Sequence, residues 1–405
     1  MRVRSWNRAA QVVAAVAEPV TPPLPRPSPD GSEPAASGPH LTLGGRRIPV
    51  VLPSRSDPRL KLSAVIVALQ VLGQTVLDFK VSIAQILVTI GVCAAVDTAV
   101  IFRRQGILAW PASALLTGNS IAFILRASGT KHGDWWSLHG IEYFVLAALV
   151  SLLVKYLVRP GGRHRFNPSN VGIIWVLLVI GPVHVFPQYL YWGPLGAPVL
   201  AALAVIVIGA VWVLRAVRMV PMALSFLVPF VALIGAFAVS GQSFVAIWSE
   251  DSISGFEYWL RICASPELLV FVCFMMSDPA TAARSPVGRT VYGAVTAVVA
   301  AGLVSFQPTE FGIKVAILAS LTVVCSVVPL IELAVRRLRE RSGAPRAPVA
   351  AARAPVAGVL GGALRPVSIA VILIAVFALV GTAALAENQD LILIERGLTG
   401  PRNAQ

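Results

Sequence analysis

Two short polar stretches hold the residue types that could do chemistry in this chain. Residues 159–170, Arg-Pro-Gly-Gly-Arg-His-Arg-Phe-Asn-Pro-Ser-Asn, set Arg163 and Arg165 beside Asn167 and Asn170. Residues 277–289 set Asp278, Thr281 and Arg284 around an Asp-Pro pair. Arginine offers a planar fork of donors to phosphate or carboxylate. A helix that begins just after an Asn-Pro break turns its free N–H groups toward the same anion, and Asn170 is suited to cap it. The chemistry implied is the cradling of an anionic group, such as a cofactor phosphate, between the two loops. A general base, a nucleophile or a Walker loop is not recognisable, so hydrolytic and ATP-driven reactions have no support. A plainer reading covers the same residues: basic connectors that set membrane topology.

Other polar residues fall inside apolar runs. Thr117, Gly118 and Asn119 put a hydroxyl, a glycine and an amide in mid-segment. Close helix packing explains them, and a broken helix lining a cavity is the alternative. Asp97 is expected to snorkel or to pair with Arg103 or Arg104, and Asp278 with Arg284 or Arg289. The histidines stand singly, and the four cysteines (Cys93, Cys263, Cys273, Cys325) form neither a C-x-x-C pair nor a His/Cys cluster. That spacing points to no metal, haem or iron–sulfur site.

The elements that must position these residues are membrane helices. Of 405 residues, 56% are hydrophobic and 13% charged, with mean hydropathy +0.77. Soluble domains carry about 25% charged residues, so the chain reads as an all-α, polytopic integral membrane protein. From Leu62 onward, apolar runs of spanning length follow one another, about 20 residues being needed for each. They predict spans near 62–79, 82–102, 107–125, 139–158, 170–187, 195–214, 221–240, 263–277, 288–306, 312–335 and 366–386. The net charge of +14 would suggest nucleic acid in a soluble protein. Here the arginines concentrate in alternate connections, such as Arg103 and Arg104, Arg215 and Arg218, and Arg336 to Arg341. They are read as orientation signals, with no nucleic-acid partner.

The expected organisation is a disordered cytoplasmic tail over 1–60 and a ten-helix membrane domain over 61–336. A basic Pro/Ala-rich linker over 337–365 and an extra transmembrane helix over 366–386 follow. The positive-inside pattern places the N-terminus and both proline loops in the cytoplasm and the tail 387–405 outside.

Three stretches carry a resemblance. They are Ser113-Ala-Leu-Leu-Thr-Gly118, His164-Arg-Phe-Asn-Pro-Ser-Asn170, and the run from Phe274 through Ser277-Asp-Pro-Ala-Thr281 to Gly293. In that order, and over about Asp57 to Val335, the chain resembles the family containing the Rnf complex D subunit and the B subunit of sodium-pumping NADH:quinone reductase. Phe166-Asn-Pro-Ser-Asn170 and Ser277-Asp-Pro-Ala-Thr281 are most similar to its actinobacterial branch in enediyne biosynthesis, called UnbU. The resemblance implies a ten-helix subunit of a bacterial plasma-membrane electron-transport complex, with membrane or redox subunits as partners and flavin as cofactor. Electron-carrying members attach FMN to the threonine of a Ser-Gly-Ala-Thr type motif. Between the two loops this chain has only Val239-Ser-Gly-Gln and Ile253-Ser-Gly-Phe, without that threonine, and Thr281 stands in another context. The resemblance therefore implies non-covalent flavin, FMN or riboflavin, with Arg163, Arg165, Asn167, Asn170, Asp278, Thr281 and Arg284 as the cofactor-binding set. A transporter or export factor, and a membrane anchor for partner enzymes, are the alternative readings.

Overall fold

The computed structural model describes residues 39–341, except 44–45, 56 and 160–163. Arg163, the residues before 39, the linker beyond 341, the expected helix 366–386 and the tail 387–405 lie outside the described residues.

The described chain is mostly helical, and seven helical segments are long and apolar enough to cross a membrane. They include α1 (Pro58–Val76), α2 (Ile83–Gln105), α6 (Ala197–Val217) and α7 (Val220–Val239). Segment Gly255–Met275, α10 (Pro286–Val304) and the first 29 residues of α11 (Glu310–Arg341) complete the set. Segment Gly255–Met275 comprises α8 (Gly255–Cys263), α9 (Pro266–Val270) and a π-helical turn over Phe271–Met275. Its start lies N-terminal to the expected span 263–277, because the polar Ser254 and Glu257 begin a helix whose apolar face hydropathy averages away.

Helix starts follow local chemistry. Asp57 caps α1, its carboxylate accepting from the Arg59 amide and its side chain. That pairing holds the Asp57 carboxyl below the usual carboxylate range. Ser82 and Gln85 close a reciprocal capping box at α2, and Ser285 caps α10 through the Gly288 amide.

Two helices are short. α3 (Ala112–Ile124) and α5 (Pro168–Val179) have 13 and 12 residues, hence lengths of roughly 20 and 18 Å against a hydrocarbon core of about 30 Å. Each continues as a strand: β4 (Leu125–Ala127) after α3, and β5 (Val185–Pro187) soon after α5. These strands pair antiparallel, Arg126 opposite Phe186. Their exposed backbone groups thus satisfy one another inside the bundle, where water would not. The expected spans 107–125 and 170–187 are therefore each a part-length helix joined to extended chain.

The expectation of a disordered tail up to residue 60 fails over residues 40–51. β1 (His40–Leu43) and β2 (Arg46–Val51) form an antiparallel hairpin, and β2 pairs in parallel with β3 (Leu108–Ala109), just before α3.

Packing recurs in two halves. α2 packs on α3 and on α4 (Ile141–Leu157), and α4 packs on α5. In the second half, α7 packs on α8 and α10, and α10 on α11. α1 meets α6, and α5 meets α11, where the halves join. A small paired strand, β6 (Ser243–Phe244) with β7 (Ile253–Ser254), leads into α8.

Candidate functional site

The two proline loops do meet. Asn167 caps α5, its Oδ1 accepting from the Asn170 amide and from the Ser169 hydroxyl. Its amide nitrogen donates 3.1 Å to the carbonyl of Met275, the last residue of the π turn before Asp278. Asn170 donates to the Leu318 carbonyl and to the Thr322 hydroxyl on α11, each at 3.0 Å. The two amides thus tie α5 to both neighbouring helices.

The remaining predicted residues are spent in similar ways. Asp278 accepts from the Ala280 amide at 2.9 Å, an Asx turn, and Thr281 donates to the Asp278 carbonyl. The side chain beside Asp278 is His164, its Nε2 3.9 Å from the carboxylate, instead of the expected Arg284 or Arg289. Arg284 is exposed and gives its backbone amide to Glu332, while Arg289 reaches the carbonyls of Ala283 and Arg218. Arg165 is half-buried, 3.5 Å from the Ser326 carbonyl, and burial pulls its guanidinium below its ordinary pKa. The structure brings the Asn-Pro and Asp-Pro loops together as a clasp whose hydrogen bonds run mostly to the chain's own backbone, with the buried Oδ1 of Asn170 left without a partner among the described residues.

Thr117, Gly118 and Asn119 lie in α3 against α2. A Cβ on Gly118 would come within 2.8 Å of the Ile90 Cα and 2.9 Å of the Thr89 carbonyl, so close packing excludes any side chain. Thr117 donates to the Ser113 carbonyl one turn back. Asn119 is buried with its Oδ1 lacking a hydrogen-bond partner among the described residues. Asp97, also buried, corrects the expectation of an Arg103 or Arg104 partner. It pairs with Lys155 of α4 at 2.7 Å and accepts from the Tyr156 hydroxyl. Two helices meet at that ion pair, so a carboxylate inside an apolar segment is compensated by contact instead of by snorkelling.

A second cluster lies just beyond the clasp. The side chains of Met275 and Leu318, whose carbonyls the two asparagines hold, floor a cavity of about 40 Å³. Phe123 and Ile124 from α3, Trp192, Phe271 and Ile317 supply its apolar wall, and Gln188, Glu267 and Lys314 its polar groups. Lys314 and Glu310, one turn apart on α11, form an ion pair at 2.8 Å with side chains only 5% and 6% exposed. Glu310 also accepts from the Leu190 amide at 2.7 Å, and Lys314 donates to the Gln188 carbonyl. These bonds pin the chain after β5 onto the first turn of α11.

Glu267 accepts from the Trp192 indole N–H at 2.9 Å through Oε1. Its Oε2 is sealed from solvent and lacks a hydrogen-bond partner among the described residues, as does Nε2 of the buried Gln188. Arg126, from β4, is buried with its guanidinium 3.9 Å from the Tyr189 ring centre and 4.9 Å from that of Phe186. A cation held against two aromatic faces is stabilised by the ring quadrupoles. Phe79, Phe123 and Trp192 stack edge to face on one flank of the cavity.

Arg126, Gln188, Glu267, Glu310 and Lys314 were not singled out by motif. The available signal was charge within apolar runs: Lys314 inside 312–335 and Glu267 inside 263–277. The arrangement can hold a small polar species. At about 40 Å³ the cavity has room for roughly three water molecules, and it abuts a buried carboxyl tip, an amide donor and an ammonium. Compared with known proteins, the chain matches no family model and no curated protein.

Proposed function

We propose that the chain is a multi-pass membrane protein that moves a small ion, acting as the membrane-embedded subunit of a redox or ion-motive assembly. The observation that carries this reading is the pair of charged residues Glu267 and Lys314 lining a cavity within apolar segments, with Glu310 ion-paired to Lys314 beside it. Each ionised side chain placed at membrane depth costs about 3 kcal/mol even on insertion scales, so such residues mark ion pathways and relays. The arginine-rich end, with Arg103, Arg104, Arg165, Arg215, Arg218 and Arg284, faces the cytoplasm in this reading. The resemblance to the Rnf D and Nqr B subunits supports membership of a larger electron-transport assembly, in the plasma membrane of a bacterium and in the service of enediyne-type biosynthesis.

A flavin is part of what that resemblance implies, and the described residues do not fit it. Asn167 and Thr281 give their polar atoms to the chain itself, and what Asn170 and Asp278 leave over are acceptors, the buried Oδ1 of Asn170 and a carboxylate oxygen of Asp278, which repel a phosphate. The cavity is also far too small for a three-ring system. No step is therefore assigned to flavin. Purified full-length protein should release none on denaturation, and a stoichiometric release would reverse this point.

The ion-moving reading is tested by reconstituting the full chain in liposomes and following an imposed membrane potential with a voltage-sensitive dye. The potential should decay faster than in protein-free vesicles, and Lys314→Met should return decay to background at equal protein incorporation. Decay indistinguishable from that of empty vesicles would overturn the proposal.

A further inference from the structure

The cavity's unsatisfied atoms restrict what can occupy it. Nε2 of Gln188 is a donor in need of an acceptor, and Oε2 of Glu267 is an oxygen in need of a donor. A buried polar atom left without a partner costs about 1–3 kcal/mol. Water answers both needs, since its oxygen can accept from Gln188 and its hydrogen can donate to Glu267. The space admits it, since a water needs only about 10–15 Å³ on this measure.

A bare metal cation answers neither need well. It would meet the Gln188 amide hydrogens, and the Lys314 ammonium stands in the same wall. Of the neighbouring oxygens, the Gln188 carbonyl is already taken by Lys314, and Oε1 of Glu310 by Lys314 and the Leu190 amide. Hard cations ask for six or more oxygens. Among the described residues no group of three or more His, Cys, Asp or Glu converges anywhere.

We infer that the cargo of this site is the proton: Glu267 is a proton-binding carboxyl, bridged by a cavity water to Gln188. This inference rests on the ion-moving reading above and names its ion. On loading, a proton carried into the cavity on hydronium forms an O–H bond at Oε2 and leaves water behind, and the new hydroxyl donates to the bridging water. On release that bond breaks and the proton leaves on a water molecule as hydronium, with no other covalent change. The charged groups facing Glu267 are Lys314 and Glu310 from α11, with Arg126 on β4 acting on Lys314 from beyond. The Trp192 N–H holds Oε1, leaving Oε2 as the reacting atom.

The test is infrared difference spectroscopy, alkaline against acidic, on the full chain in lipid nanodiscs without any gradient. Wild type should show a buried carboxylic C=O band that is lost in Glu267→Gln, retained in Glu310→Gln, and shifted in Gln188→Leu. Glutamine at 267 keeps an acceptor for Trp192, and Glu267→Asp supplies a second variant in which the band should move without vanishing. An unchanged band in both Glu267 variants would overturn the inference. So would loss of the band on adding sodium ions at fixed pH, which would identify a metal-cation site. Because the band is read without flux, it can fail while charge movement persists, or stand while charge movement is absent.

Discussion

Replacing Lys314 by methionine isolates the energetics of the central cluster. The ammonium lies 2.8 Å from Oε1 of Glu310, and the two side chains are 5% and 6% exposed. Methionine fills the stem but leaves the Glu310 carboxylate with the Leu190 amide at 2.7 Å as its remaining hydrogen bond in the cluster. The Gln188 carbonyl also loses its ammonium donor. Removing one partner of a buried pair costs about 3–5 kcal/mol, because the surviving charge stays uncompensated. Removing both is often close to neutral, and Glu310→Gln retains an acceptor for Leu190. The single variant should therefore lose about 3–5 kcal/mol, a fall of roughly 6–10 °C in the unfolding midpoint at about 2 °C per kcal/mol. The Lys314→Met/Glu310→Gln double variant should recover most of that loss. The assay is thermal unfolding in detergent across the full double-mutant cycle, with a coupling of about 2 kcal/mol or more expected. A single variant as stable as wild type, or strictly additive losses, would refute the reasoning.

Packing and pairing elsewhere set further outcomes. Gly118→Val should abolish stable insertion, since its Cβ would collide with the backbone at Thr89 and Ile90. Gly91→Ala, which meets nothing within 4 Å, should stay within about 0.5 kcal/mol of wild type by thermal unfolding. Asp97→Ala should cost about 3 kcal/mol by leaving Lys155 buried without its carboxylate, and Lys155→Met in that background should restore stability in the same assay. Asn167→Ala should lose about 1–3 kcal/mol, because it removes the α5 cap and leaves the Met275 carbonyl with only the long 3.4 Å bond from the Asp278 amide. Asn167→Asp, keeping the cap alone, should fall between alanine and wild type.

How much of this was legible in the sequence depends on which force each element answers to. The long helices follow from apolar length, and six of the seven long, apolar segments fall within about four residues of the runs that predicted them, Gly255–Met275 starting earlier than its run. The half-length of α3 and α5 did not follow. Leu125, Ala127 and Val185 are as apolar as the helices before them, and hydropathy alone does not separate a buried strand from a helix. The pairing of β4 with β5 is a contact across 60 residues of chain. His40–Val51 was hidden by Arg46, Arg47 and Pro49, whose polarity and ring mask a hairpin that closes on β3. The meeting of the Asn-Pro and Asp-Pro loops was legible, because both break helices at arginine-rich ends. Their inward-facing hydrogen bonds were not, since the Met275 and Leu318 carbonyls that accept them carry no sequence signal. Lys314 and Glu267 were visible as charges within apolar runs, whereas counting charge for orientation weighs only those between runs. The Asp97–Lys155 pair spans 58 positions, a separation that spacing rules along one helix do not reach.

If charge moves through the site at Glu267, a pH-jump charge-displacement recording will register it. Full-length protein is adsorbed in liposomes on a solid-supported membrane, and the external solution is switched to a lower pH. Wild type should give a transient current that is lost in Glu267→Gln at equal protein density and is unchanged when sodium replaces potassium. Equal currents in wild type and Glu267→Gln, or a current that follows sodium instead of pH, would contradict it.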